Sequence, residues 1–88
     1  MKFLIKYIDA EREAQAVNVY HADRVAAERE GAKRGWPRMT ETPASYLSLQ
    51  VYKAARRAKL DNIPETWEDF ADLVDDMEVI DDVENPTQ

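Results

Sequence analysis

The sequence predicts an α+β domain: an N-terminal β-hairpin packed on about three α-helices, followed by an acidic, frayed C-terminal tail. Three observations predict it. The run Phe3-Leu4-Ile5-Lys6-Tyr7-Ile8 is rich in β-branched and aromatic residues, which suit a pleated, half-buried surface. After His21 the apolar spacing changes from a period of about two to a period of about 3.6. The stretch from Asp81 to Gln88 is highly charged and poor in apolar residues, so burial cannot offset the entropy of ordering it. Residues 1–80 are expected to form one small domain and residues 81–88 a flexible acidic tail.

Each element has its own signal. In the first strand, at about residues 2–8, Phe3, Ile5 and Tyr7 share one face. Asp9-Ala10-Glu11-Arg12 is polar and short enough for a turn, although it lacks the Asn-Gly or Asp-Gly signature. A second strand is expected at about 13–19, with Val17 and Val19 on one side. A lone hairpin is marginal in water, so a helix or another copy's strand must cover it. Asp23 is a plausible N-cap for the first helix, with Ala22 as an alternative start, and the helix carries Val25, Ala26, Arg29, Ala32 and Lys33 at helical spacing. Gly31 weakens that helix and Gly35 ends it. Thr42-Pro43 opens the second helix, expected from about Ala44 to Lys59. Its apolar arc of Leu47, Val51, Ala54, Ala55 and Ala58, widened by Tyr46, Leu49 and Tyr52, predicts the most buried helix. Asp61-Asn62-Ile63-Pro64 breaks it. Thr66 then caps a last helix, with Asp69 completing a variant capping box. Trp67, Phe70, Ala71, Val74 and Met77 mark its buried stripe, which decays from Val79.

Composition bounds the function. The 88 residues are 44% apolar and 34% charged and include no cysteine. A chain of this size buries roughly 60–65% of its unfolded surface and has one modest core. Disulfides, thiolate metal sites and cysteine nucleophiles are excluded, which fits a reducing compartment. No apolar run approaches the ~20 residues that cross a bilayer, and Lys6 interrupts the N-terminal one. A soluble protein with no membrane partner is expected.

The net charge of −6 is unevenly placed. Residues 1–60 carry 12 basic and 7 acidic residues, a balance of +5, whereas residues 61–88 carry 11 acidic residues and none basic. An acidic total disfavours nucleic acid, whose phosphates it repels. The division suggests that the basic cluster Lys53, Arg56, Arg57 and Lys59 pairs with the acids of Pro64–Glu84, within one chain or between copies. Exposed pairs are worth only ~0–1 kcal/mol each, so they set orientation while apolar groups supply the energy.

No catalytic, cofactor-binding or metal site is predicted. His21 is the only histidine and reads as a strand-to-helix junction residue. The pairs Asp75-Asp76 and Asp81-Asp82 lack the glycine and alternating ligands of a calcium loop and read as a solvated face. The candidate partner-contact residues are Trp36, Lys53, Arg56, Arg57, Trp67 and Phe70. Trp67 with Phe70 also reads as core, and Trp36 as either core cover or interface anchor. An enzyme with an all-carboxylate site is the weakest alternative.

The order of these pieces has a precedent. A hairpin leads into "DRVAAERE", then "GW", a loop, "SYLSLQVYKAARRAKLDNIPETWEDFADLVDDMEVID" and an acidic end. From about Ile5 to Val83 this resembles the small tail assembly chaperones of long-tailed bacteriophages, encoded between the major tail protein and the tape measure protein. The resemblance implies non-enzymatic work in the host bacterial cytoplasm. Such a protein binds the tape measure protein while tail tube subunits polymerise around it, self-associates, and is absent from the mature virion. Trp67-x-x-Phe70 and Arg56-Arg57 are the nearest matches to its motifs, with packing or contact roles. The strongly acidic terminus departs from the family pattern. The segment Val79–Gln88 is expected either to keep assemblies apart or to occupy a groove until a client displaces it. A rival reading is another small phage interaction protein: a head–tail connector, or an acidic inhibitor that imitates nucleic acid.

Overall fold

The structure, a computed structural model, describes residues 1–80. The expected tail at 81–88 lies outside them. Six elements follow in order: β1 (Lys2–Tyr7), β2 (Gln15–Asn18), α1 (His21–Lys33), α2 (Pro43–Arg57), α3 (Trp67–Leu73) and β3 (Val74–Ile80). The class is α+β, as the sequence predicts. The strands form one antiparallel sheet in the order β2-β1-β3, and the helices pack on one of its faces.

β1 alternates strictly, with Phe3, Ile5 and Tyr7 buried. Val17 and Val19 join them on the same face, as expected. α2 is the central helix and supplies Leu49, Val51, Tyr52, Ala54 and Ala55 to the core, which Phe70 of α3 and Ala27 of α1 complete. Its apolar arc is slightly rotated from the predicted one, because Ala58 is exposed and Leu47 only half-buried.

Four features differ from the sequence reading. The last helix stops at Leu73, and Val74–Ile80 is a third strand along the far edge of β1. The hairpin is therefore covered within the chain, and β1 is not available to another copy. Val79 and Ile80, where the helical stripe was expected to decay, belong to this strand. A bulge explains the misreading. Lys6 faces Asp76 and Tyr7 faces Val74, so Asp75 is an extra residue. Val74 and Met77 thus reach the same sheet face three residues apart, which mimics helical spacing.

The second difference is the helix start. α1 begins at His21, and Asp23 lies in its first turn, where its carboxylate accepts the Tyr20 backbone N–H at 2.9 Å. Third, α1 meets α2 through Asp23, Ala27 and Gly31 rather than through the Val25 stripe. Fourth, Thr42 precedes α2 but makes no side-chain cap. Its hydroxyl donates back to the Arg38 carbonyl at 3.4 Å. The Thr66 cap is present, its hydroxyl accepting the Asp69 N–H at 3.2 Å.

Both long helices end in the same way. Gly35, with φ +76°, follows α1, and the N–H groups of Gly35 and Trp36 return to the carbonyls of Ala32 and Gly31. Lys59, with φ +58°, follows α2, and the N–H groups of Lys59 and Leu60 return to Arg56 and Ala55. No helix among the described residues is long and apolar enough to cross a membrane.

Candidate functional site

An apolar groove of about 490 Å³ opens between the N-terminal half of α2 and the continuous α3–β3 segment. Ala44 and Leu47 form one wall, and Trp67, Ala71, Val74 and Met77 form the other. Ser45 and Ser48 lie along the α2 side, and Asp75 and Asp76 stand at the β3 end. The bulge makes this wall, because it keeps Val74 and Met77 on the helix-covered face while carrying Asp75 outward. Val79 continues the same face and is 56% exposed, with no helix over it among the described residues.

The Trp67 wall is held in place. Its indole Nε1–H donates to Ser48 Oγ at 2.9 Å, and the Ser48 hydroxyl donates to the Ser45 carbonyl at 2.9 Å. Trp36 packs edge-on against Trp67 and Tyr46, with ring centroids 5.0 and 5.2 Å away. The Arg34 guanidinium lies over both indoles at 5.7 and 5.2 Å. Glu30 and Glu68 hold that guanidinium at 2.7 and 2.6 Å, and Lys53 joins the cluster through Glu30. The Lys53 and Arg34 hydrogen bonds bring the Glu30 carboxyl below its usual range against the opposing effect of burial. Bonding to Arg34 likewise lowers Glu68. A polar cleft of about 360 Å³ lies on the other side of Trp67, between Lys53, Arg56 and Glu65.

The predicted contact residues divide among three settings. Trp67 lines the groove, and Trp36 supports it from behind. Lys53 and Arg56 border the polar cleft instead. Phe70 is fully buried against Tyr52, with centroids 5.3 Å apart, so it packs and cannot touch a partner. Arg57 is structural: it makes a bidentate bond to Asp23 at 3.0 and 2.8 Å and donates to the Asn18 carbonyl at 3.1 Å. It thereby fastens α2 to α1 and β2.

Among the described residues, the expected pairing of the basic cluster with the Pro64–Glu84 acids is not found, and its part at Asp81, Asp82 and Glu84 lies outside them. Arg57 and Lys53 meet acids of α1, and the acids of α3 and β3 that are paired meet Arg34 and Lys6. The packing of α1 on α2 through Ala27 and Gly31 sets Asp23 beside Arg57 and Glu30 beside Lys53. The roles of Ala44, Ala71, Asp75 and Asp76 as groove residues were not legible in the sequence. The Met77-Glu78-Val79-Ile80 alternation was the one signal for the strand that organises them. No family model, curated protein or solved structure matches the chain.

Proposed function

We propose that this chain is a non-enzymatic phage tail assembly chaperone. It acts in the host bacterial cytoplasm, binds the tape measure protein, self-associates during assembly and leaves before the virion is complete. The sequence resemblance supplies the identity of the client. The observation that carries the reading is the groove, an apolar trough on a small domain, bordered by carboxylates of the kind that favour solubility. A client's apolar side chains gain roughly 25 cal/mol per Å² on entering such a trough.

Co-expression with the tape measure protein of the same tail-assembly cluster tests this. The expected result is a soluble complex, with more of the client recovered than when it is expressed alone. Leu47→Glu, which puts a charge on the half-buried groove wall, should abolish recovery while leaving the circular dichroism spectrum unchanged. A client that stays insoluble, or a Leu47→Glu variant that captures it equally well, defeats the reading. Capture of a basic, DNA-binding host protein in its place would favour the acidic inhibitor.

A further inference from the structure

The sheet has two outer edges, and they are treated differently. At the β2 edge, Arg57 takes the Asn18 carbonyl at 3.1 Å, and the Gln15 amide donates to the Asp61 carbonyl at 3.1 Å. Arg12 ties the same 61–62 segment down by donating to the Asn62 carbonyl at 2.6 Å. The short β2 strand is thus crowded at both ends. β3 is seven residues long, and no strand lies beyond it among the described residues. An open edge of this length presents a row of backbone donors and acceptors to any extended chain.

The side chains on β3 specify what that chain must look like. Val74, Met77 and Val79 share the helix-covered face with Tyr7, Ile5 and Phe3. Asp76, Glu78 and Ile80 share the open face with Lys6, Leu4 and Lys2. The gap between β3 and α2 is the groove itself. We propose that β3 is a strand-addition site for an extended segment in which apolar and basic residues alternate. The added strand hydrogen-bonds to the β3 edge and extends the sheet beneath α2. Its apolar side chains enter the groove beside Leu47 and Met77, and its basic side chains face Asp76 and Glu78, the latter shared with Lys6 of β1. Main-chain bonding then gives affinity, and the alternate pockets and charges give selectivity. Opposite charges facing each other across strands add to the pairing.

Charge also disfavours the nearest competitors. Two copies paired antiparallel over the whole of β3 would set Asp76 against Glu78 on the same face, twice. The chain's own residues 81–88 bring Asp81, Asp82 and Glu84 and no base. This inference deepens the groove's proposed role as a client site and does not depend on the client being a tape measure protein.

The test uses the full chain and three synthetic peptides, followed by amide exchange in NMR spectra. One peptide alternates Lys and Val, one alternates Glu and Val, and one carries Leu and Lys at helical spacing. The expected result is that the Lys–Val peptide alone slows exchange of those β3 amides that do not bond to β1. Its affinity should fall with added salt, and Asp76→Lys, an exposed position, should weaken it about two- to tenfold. Equal binding of the Glu–Val peptide overturns the charge assignment. Binding of the helical peptide without β3 protection overturns strand addition yet leaves the groove as a client site. Protection already present in the free protein means that a second copy or the chain's own end holds the edge, and it also overturns the proposal. Strand addition by the Lys–Val peptide with no capture of a tape measure fragment would leave this site standing and remove the phage reading.

Discussion

Tyr46 lies so close to Gly31 that a Cβ there would fall 2.5 to 2.7 Å from its ring and hydroxyl. Glycine inside a helix ordinarily costs about 1 kcal/mol relative to alanine. Here it admits the ring on which Trp36, and through it the groove wall, is stacked. Gly31→Ala is therefore expected to destabilise the fold by about 1–2 kcal/mol in urea denaturation, reversing the usual helical gain. Combining it with Tyr46→Leu should cost less than the two changes added, because the clash is shared. The opposite case is Lys59, a side-chain-bearing residue held at φ +58° in the position where Gly35 closes α1. Lys59→Gly should raise stability by about 0.5–1 kcal/mol, read in the same denaturation series. The Lys59 closure was invisible in the sequence because nothing but the backbone turn marks it. The Gly35 closure was legible because glycine itself is the signal.

Among the elements, the α3–β3 junction has no loop: Leu73 ends the helix and Val74 begins the strand. The sequence around it carries two periods at once. Trp67, Phe70, Ala71 and Val74 continue a helix, and Met77, Val79 and Ile80 suit a strand. Only the partner decides which applies past Leu73. β1 offers a complete edge of backbone groups, and the N–H of Ile8, just after it, reaches the Leu73 carbonyl at 2.9 Å to start the ladder. Deleting Asp75 removes the bulge but leaves Lys6 facing Asp76 and Tyr7 facing Val74, so it should keep the register and cost little. Deleting Glu78 instead turns Met77 and Val74 to the open face, and the expected outcome is loss of cooperative unfolding or a fall of more than about 2 kcal/mol in stability. Equal denaturation curves for the two deletions would show that the register does not depend on these faces. α2 was read correctly in extent and burial because its apolar arc is broad enough to survive a small rotation. α1 was placed correctly but faced wrongly, since its contact runs through Ala27 and Gly31, which carry almost no hydrophobic signal.

For the whole molecule, charge fastens the helical layer at two points. Asp23 is 4% exposed. Burial pushes its carboxyl up, but the Arg57 hydrogen bonds and the Tyr20 N–H outweigh this and hold it below 3.8. Glu30 is held below 4.5 by Lys53 and Arg34 against a smaller effect of burial. Folded values below the unfolded ones mean that the unfolded chain binds protons more readily. These contributions are complete above the ordinary carboxylate values and are lost as the pH falls through the depressed ones. Thermal stability should thus be flat from neutrality to about pH 5.5 and decline below about pH 4.5. Asp23→Asn should lower Tm at neutral pH and make the acid decline shallower. A Tm that falls equally steeply in the variant would remove this fastening from the account.

By itself the sequence determined the class, the element order as far as Leu73, the central place of α2, the capping at Thr66 and the closure at Gly35. Each of these rests on local spacing or on the conformational freedom of a single residue. The tertiary structure alone decided that residues 74–80 form a strand, that Arg57 and Lys53 serve α1, and that Leu47, Trp67 and Met77 line one groove. Those outcomes depend on which distant groups meet. A chain with two compatible periods and acids on both sides of its basic helix leaves that choice to packing.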